Sequence, residues 1–168
     1  MESKGLPKAI HHPLFFADSD WHEEIKHTTK RNPFFYEVQE FLGQKDERPW
    51  DSPTSHLKEY FEQWKDVEET IRAFFSSRKK KEASIEMVFQ IGYLMEALFW
   101  LNGRRALAGE WQATIRSLEI SPINGAERLN YVIDHYDHYT SFVQLRELIH
   151  DLHKKWMKNE AIKKSQSD

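Results

Sequence analysis

Between Glu82 and Asn102 the chain carries an apolar pattern too broad for a half-exposed helix and without the alternation of a strand. At 100° per residue, Ile85, Met87, Val88, Ile91, Leu94, Met95, Leu98, Phe99 and Leu101 spread over more than half of the helical wheel. The remaining stripe, Glu82, Glu86, Phe89, Gln90, Tyr93, Glu96 and Trp100, is itself rich in aromatics. A helix of this kind must be enclosed by neighbours on most sides, which makes it the expected centre of a bundle. Asn102-Gly103 is the expected stop. The most apolar run, Tyr93 to Leu101, is too short to span a bilayer and contains Glu96.

The flanking segments share the helical rhythm. Leu57, Tyr60, Phe61, Trp64, Val67, Ile71, Phe74 and Phe75 recur at three- and four-residue steps, predicting a long amphipathic helix opened by Ser52-Pro53 or Ser55. Upstream, Asn32-Pro33 reads as an N-cap with Pro at the first helical position, and Gly43 as the stop, with Val38, Phe41 and Leu42 facing the core. Downstream, a short helix is expected around Glu110 to Leu118. Asn124 with Glu127 resembles a capping box for a helix to about His135. Ser141 with Gln144 repeats the signal for a last helix whose core face is Phe142, Leu145, Ile149, Leu152 and Trp156. From Lys158 the sequence is polar and reads as a fraying tail. Six Gly and six Pro in 168 residues leave few chain-breakers, against a turn-rich β fold. The expectation is an all-α single domain over residues 1–157, about five to seven helices around the central helix at about 82–102, with 158–168 as a tail. The echo of His12-Pro13-Leu14-Phe15-Phe16 in Asn32-Pro33-Phe34-Phe35-Tyr36 suggests two anchoring points, each a Pro before an aromatic pair.

Composition excludes several chemistries. The chain has no cysteine, so disulfides, thiolate zinc sites, iron–sulfur clusters and a Cys nucleophile are impossible. There is no Gly-rich phosphate loop and no Ser elbow. The formal net charge is −3, which provides no bulk attraction for nucleic acid. The first residues lack a signal-peptide core, so the cytoplasm is the expected compartment.

Four groups of residues are candidates for function. Two Glu-x-x-His pairs, Glu24/His27 and Glu147/His150, have di-iron spacing, but 18 Glu and 9 His give about one such pair by chance. Glu86 and Glu96 could be offered as the bridging carboxylates such a site needs, but they lie roughly 15 Å apart along one helix. His-x-x-His occurs at His135/His138 and His150/His153, and Asp134 and Asp137 beside the first pair would suit zinc or manganese. Two other readings are open for these histidines: structural, since on the last helix's wheel His138 points with Phe142 and Ile149 as a hydrogen-bonded core histidine would, or surface and pH-responsive. The basic run Arg78, Lys79, Lys80 and Lys81 reads either as a phosphate contact for nucleic acid or as a solvated connector between helices. On the central helix, Tyr93, Glu96 and Trp100 form a less apolar stripe able to line a groove for a protein partner.

His12-Pro13-Leu14-Phe15-Phe16, Trp100-Leu101-Asn102-Gly103, Pro122 with Asn124 and Glu127-Arg128-Leu129, and His138-Tyr139 followed by Phe142, Gln144 and Leu145 resemble the YpoC-like family of small proteins of low-GC Gram-positive bacteria. The likeness spans nearly the whole chain. It implies a cytoplasmic bacterial protein and supplies no activity. Where that family often has a Pro among the histidines before the final helix, Tyr136-Asp137 stands here.

The expectation from these residues is a non-catalytic accessory protein that needs no cofactor and docks a protein partner through Tyr93, Glu96 and Trp100. The alternatives are a zinc- or manganese-dependent enzyme using Asp134, His135, Asp137 and His138, and a nucleic-acid accessory factor using Arg78 to Lys81.

Overall fold

The computed structural model describes residues 8–16, 29–44 and 46–167. It is all-α: α1 (Phe35–Phe41), α2 (Thr54–Ser76), α3 (Lys80–Leu101), α4 (Trp111–Ser117, preceded by a 3-10 turn at Ala108–Glu110), α5 (Gly125–Asp134) and α6 (Tyr139–Ser167). No strand occurs among the described residues.

Every residue of α3 from Leu94 to Leu101 is buried, Leu94, Met95, Leu98, Phe99 and Leu101 as the wheel leads one to expect, and Glu96 and Trp100 with them. Helix α2 folds back on it as a helical hairpin, α6 packs on both, α5 packs on α6, and α4 packs on α5. The last helix buries Phe142, Leu145, Ile149 and Leu152 as expected, together with Leu148, and Trp156 packs at the core edge. Helix α3 is long and apolar enough to cross a bilayer by length and composition alone, yet its apolar faces are taken up by neighbouring helices.

Three helices end in the same way. After α1, Gly43 (φ 75°) donates to the Glu40 carbonyl and Gln44 to that of Gln39. After α3, Gly103 (φ 70°) donates to the Trp100 carbonyl and Arg104 to that of Phe99. These are Schellman turns, and both glycines are legible stops. After α2 the left-handed position is held by Arg78 (φ 59°), with Arg78 and Lys79 donating to Phe75 and Phe74. The start of the basic run is therefore a helix-capping turn, closed by backbone amides.

Helix starts depart from expectation. Asn32 is not the N-cap of α1: its Oδ1 accepts from the Thr29 backbone N–H at 2.9 Å, and the cap position is Phe34, left-handed at φ 66°. That conformation is unfavourable for an aromatic residue. Tertiary packing holds it, because Phe34 is fully buried, with Phe15 edge-on at 5.0 Å and Phe16 at 6.2 Å. The two Pro-aromatic segments thus anchor on each other. Phe41 and Leu42, expected in the core, are partly exposed, while Phe34, Phe35, Glu37 and Val38 are inside. The capping box at α5 does not form: Asn124 is left-handed, and Glu127 turns to Arg116 at 3.2 Å. Ser141 lies inside the first turn of α6 and is buried, so it does not open that helix. The polar segment beyond Lys158 continues α6 to Ser167 rather than fraying.

Candidate functional site

A cleft of about 570 Å³ opens between the 30–36 segment, the first turns of α2 and the middle of α3. Tyr36, His56, Tyr60, Tyr93 and Trp100 line it, with Glu96 among them. The three residues singled out on α3, Tyr93, Glu96 and Trp100, therefore share one wall. Their i, i+3, i+7 spacing places them on one face, and tertiary packing leaves that face next to the opening.

Tyr36, His56 and Trp100 form a box of near-perpendicular rings, with centroids 5.4 Å (Tyr36–His56), 5.9 Å (Tyr36–Trp100) and 5.7 Å (His56–Trp100) apart. His56 is oriented by Glu47, Nε2 to Oε2 at 2.8 Å. The Tyr93 hydroxyl donates to the Arg31 carbonyl, tying the 30–36 segment to α3. The Arg31 guanidinium is turned to Glu86 at 3.5 Å and over the Phe89 ring at 5.3 Å.

Behind the rings lie two buried carboxyl groups. Glu37 Oε1 accepts from the Trp100 indole N–H at 2.7 Å and the Ala106 backbone N–H at 3.0 Å. Burial pushes its proton affinity up to about 7, partly offset by those two donors. Glu96 is raised well above the usual carboxylate range, first by burial and then by the nearby Glu37 charge, with the Phe34 amide acting the other way. Glu96 Oε1 and the Tyr60 hydroxyl are both buried without a hydrogen-bond partner. Burial and the Glu96 carboxylate hold Tyr60 well above the ordinary phenol range, and Tyr93 is pushed up to about 12 for the same two reasons.

Sequence reasoning missed Glu37, Tyr60 and His56. A signal for Glu37 was present: Phe34, Glu37, Val38 and Phe41 are spaced i, i+3, i+4, i+7, an acid placed in an apolar stripe. Tyr60 likewise falls within the apolar stripe of α2. For His56 no such signal exists.

The C-terminal histidines are placed differently from the core reading. His138 is exposed, with Nε2 3.4 Å from Asp137. The wheel that set it beside Phe142 does not apply, because α6 begins at Tyr139 and His138 belongs to the turn before it. Asp134 accepts from Asn130 at 3.1 Å, His135 Nδ1 lies 3.0 Å from the Tyr131 carbonyl, and Asp137 pairs with Lys80 at 3.5 Å. Among the described residues no group of three or more His, Asp or Glu side chains converges as a metal would need. His153 stacks on Phe61 at 4.4 Å, and burial lowers its basicity. The pair Glu24/His27 lies outside the described residues. Lys79, Lys80 and Lys81 are exposed, and Arg78 and Lys80 share a shallow surface with Asp137 and His138.

The Trp100-Leu-Asn-Gly segment is a hydrogen-bonding unit. Trp100 binds Glu37; the Asn102 amide donates to the Leu98 and Ile120 carbonyls at 2.8 Å each and accepts from Ile120 N–H at 2.9 Å; Gly103 makes the turn.

A family model described as YpoC-like protein matches residues 54–164, from the first residue of α2 into the last turns of α6. Tyr60, Tyr93, Glu96 and Trp100 fall inside that match, and Glu37 outside it. The Bacillus subtilis (strain 168) protein "Uncharacterized protein YpoC" is 29% identical over 141 residues, 83% of this chain and 84% of that protein. No solved structure matches the chain.

Proposed function

The chain belongs to the YpoC-like family, and from that premise we propose that it is a non-catalytic, cytoplasmic bacterial accessory protein that docks a protein partner at the cleft lined by Tyr93, Glu96 and Trp100. The observation that carries this reading is the unpartnered Glu96 Oε1 in the wall of an open, aromatic-lined cleft. Leaving a buried polar atom unpaired costs about 1–3 kcal/mol, a cost that an incoming donor removes. Aromatic residues are also the side chains that most often anchor protein interfaces. A buried carboxyl group with raised proton affinity also suits a general acid. Around Glu96, however, stand tyrosines held neutral and an indole already bonded to Glu37, with no activated nucleophile among them.

Site-specific photocrosslinking tests the proposal. With benzoylphenylalanine at position 93 in native cells, one discrete protein adduct is expected, absent when the same group replaces exposed Ile123. The same adducts at both positions, or none at 93, would refute a docking role for the cleft.

A further inference from the structure

We propose that the group entering this cleft is the side-chain ammonium of a partner lysine, received by Glu96 Oε1 and the Tyr60 hydroxyl oxygen beside the Tyr36, His56 and Trp100 rings. The inference rests on the docking reading above and specifies its chemistry.

Both acceptors are buried, unpartnered and on the same cleft. Neither has a hydrogen-bond partner, and each oxygen can accept, which suits an ammonium carrying three N–H donors on one compact charge. A guanidinium fork favours two free carboxyl oxygens in parallel, whereas one oxygen of Glu96 is orphaned here. The aromatic box adds attraction for an organic cation lying over a ring face. A carboxylate or phosphate would meet the Glu96 carboxyl group with neither benefit.

The charges around the opening agree. Its carboxylates are Glu47, Glu59 and Glu96, and its cations are Lys30 and Arg31. The Arg31 guanidinium is committed to Glu86 and Phe89, leaving Lys30, exposed at the rim. Glu47 holds His56, and Glu59 accepts from Gln63 at 3.0 Å.

A bound ammonium also supplies the counter-charge that Glu96 lacks in the empty cleft. Burial and the Glu37 charge favour the protonated form of Glu96 in the empty cleft, and an entering ammonium favours its carboxylate. The groups facing this change are Glu37 from α1, His56 and Tyr60 from α2, and Tyr93 from α3.

The experiment is calorimetric titration of the full chain with Nα-acetyl-lysine methylamide, its norleucine analogue and n-butylammonium chloride. The lysine derivative is expected to bind saturably and the norleucine analogue not to bind. Glu96→Gln should weaken lysine binding about tenfold or more, the scale of one charge-assisted hydrogen bond. Tyr60→Phe should weaken it severalfold and remain folded, since it deletes a buried orphan hydroxyl; it decides the matter should Glu96→Gln not fold. Equal binding of the norleucine analogue, or wild-type affinity in a folded Glu96→Gln, overturns the proposal. Tighter binding of butylammonium than of the lysine derivative overturns it in favour of a free amine. A specific adduct at position 93 without lysine binding defeats this inference alone. Lysine binding without an adduct defeats the protein-docking reading, and with it the assignment of the ammonium to a partner.

Discussion

The indole N–H of Trp100 donates to Glu37 Oε1 at 2.7 Å across 63 residues of sequence, inside the protein. Because the same oxygen accepts from Ala106 N–H, one carboxyl group joins α1, the end of α3 and the segment leading to α4. In this protein the buried acid is the knot between the N-terminal elements and the bundle, and the aromatic box is built on it.

Trp100→Phe removes one donor from that knot and trims a buried ring. The expected loss is about 1–3 kcal/mol in urea unfolding, from an acceptor losing its partner and a small void. An unchanged midpoint would mean that the bond contributes nothing net.

Glu37 should give the protein a pH-dependent stability. Its native proton affinity, near 7, lies above the ordinary 4.5 of the unfolded chain. The native state then holds the proton more tightly, so this contribution is full below about 4.5 and is lost as pH rises through about 7. Glu96, raised for similar reasons, extends the loss upward. His12 and His153 act oppositely, since burial lowers their basicity and their contribution is lost on acidification below about 6.5. Comparison with Glu37→Gln separates the effects. From pH 5 to 8 the wild type should lose roughly 1–3 kcal/mol relative to that variant, measured by urea unfolding at each pH. Parallel curves would contradict the assignment.

Gly92 lets the N-terminal segment approach α3. A Cβ there would lie 2.5 Å from Pro33 Cβ and 3.3 Å from Phe15 Cε1. Gly92→Ala should therefore cost about 1–3 kcal/mol. Hydrogen exchange is expected to rise at residues 34–38 while the middle of α6 stays protected. Uniform loosening would show that the segment is not a separable layer.

The basic run should respond residue by residue. Arg78→Gly is expected to stabilise by about 0.5–1 kcal/mol by relieving a left-handed arginine. Lys79, Lys80 and Lys81 changed together to Gln should stay within about 0.5 kcal/mol, since the Lys80–Asp137 pair is exposed. His138→Gln should be equally mild, in contrast to the loss a core histidine would show. Thermal melts of the three variants check all of this.

Periodicity by itself determined the helical class, the enclosed α3, the core face of α6 and the stops at Gly43 and Gly103. These are properties of a single helix or turn, written in spacing and in the conformational freedom of glycine. It also placed Tyr93, Glu96 and Trp100 on one stripe. Only the tertiary structure decided that Glu96 and Trp100 are buried, because a wheel gives direction within a helix and not how many neighbours stand there. It decided that Glu37 is the acid bonded to Trp100, a pairing no local pattern encodes. It also moved His138 to the surface, since the turn before α6 breaks the helical phase, and held Phe34 left-handed, since packing between Phe15 and Phe16 outweighs its backbone preference. Local spacing sets elements and faces; burial, charge state and the cleft arise where residues distant in sequence meet.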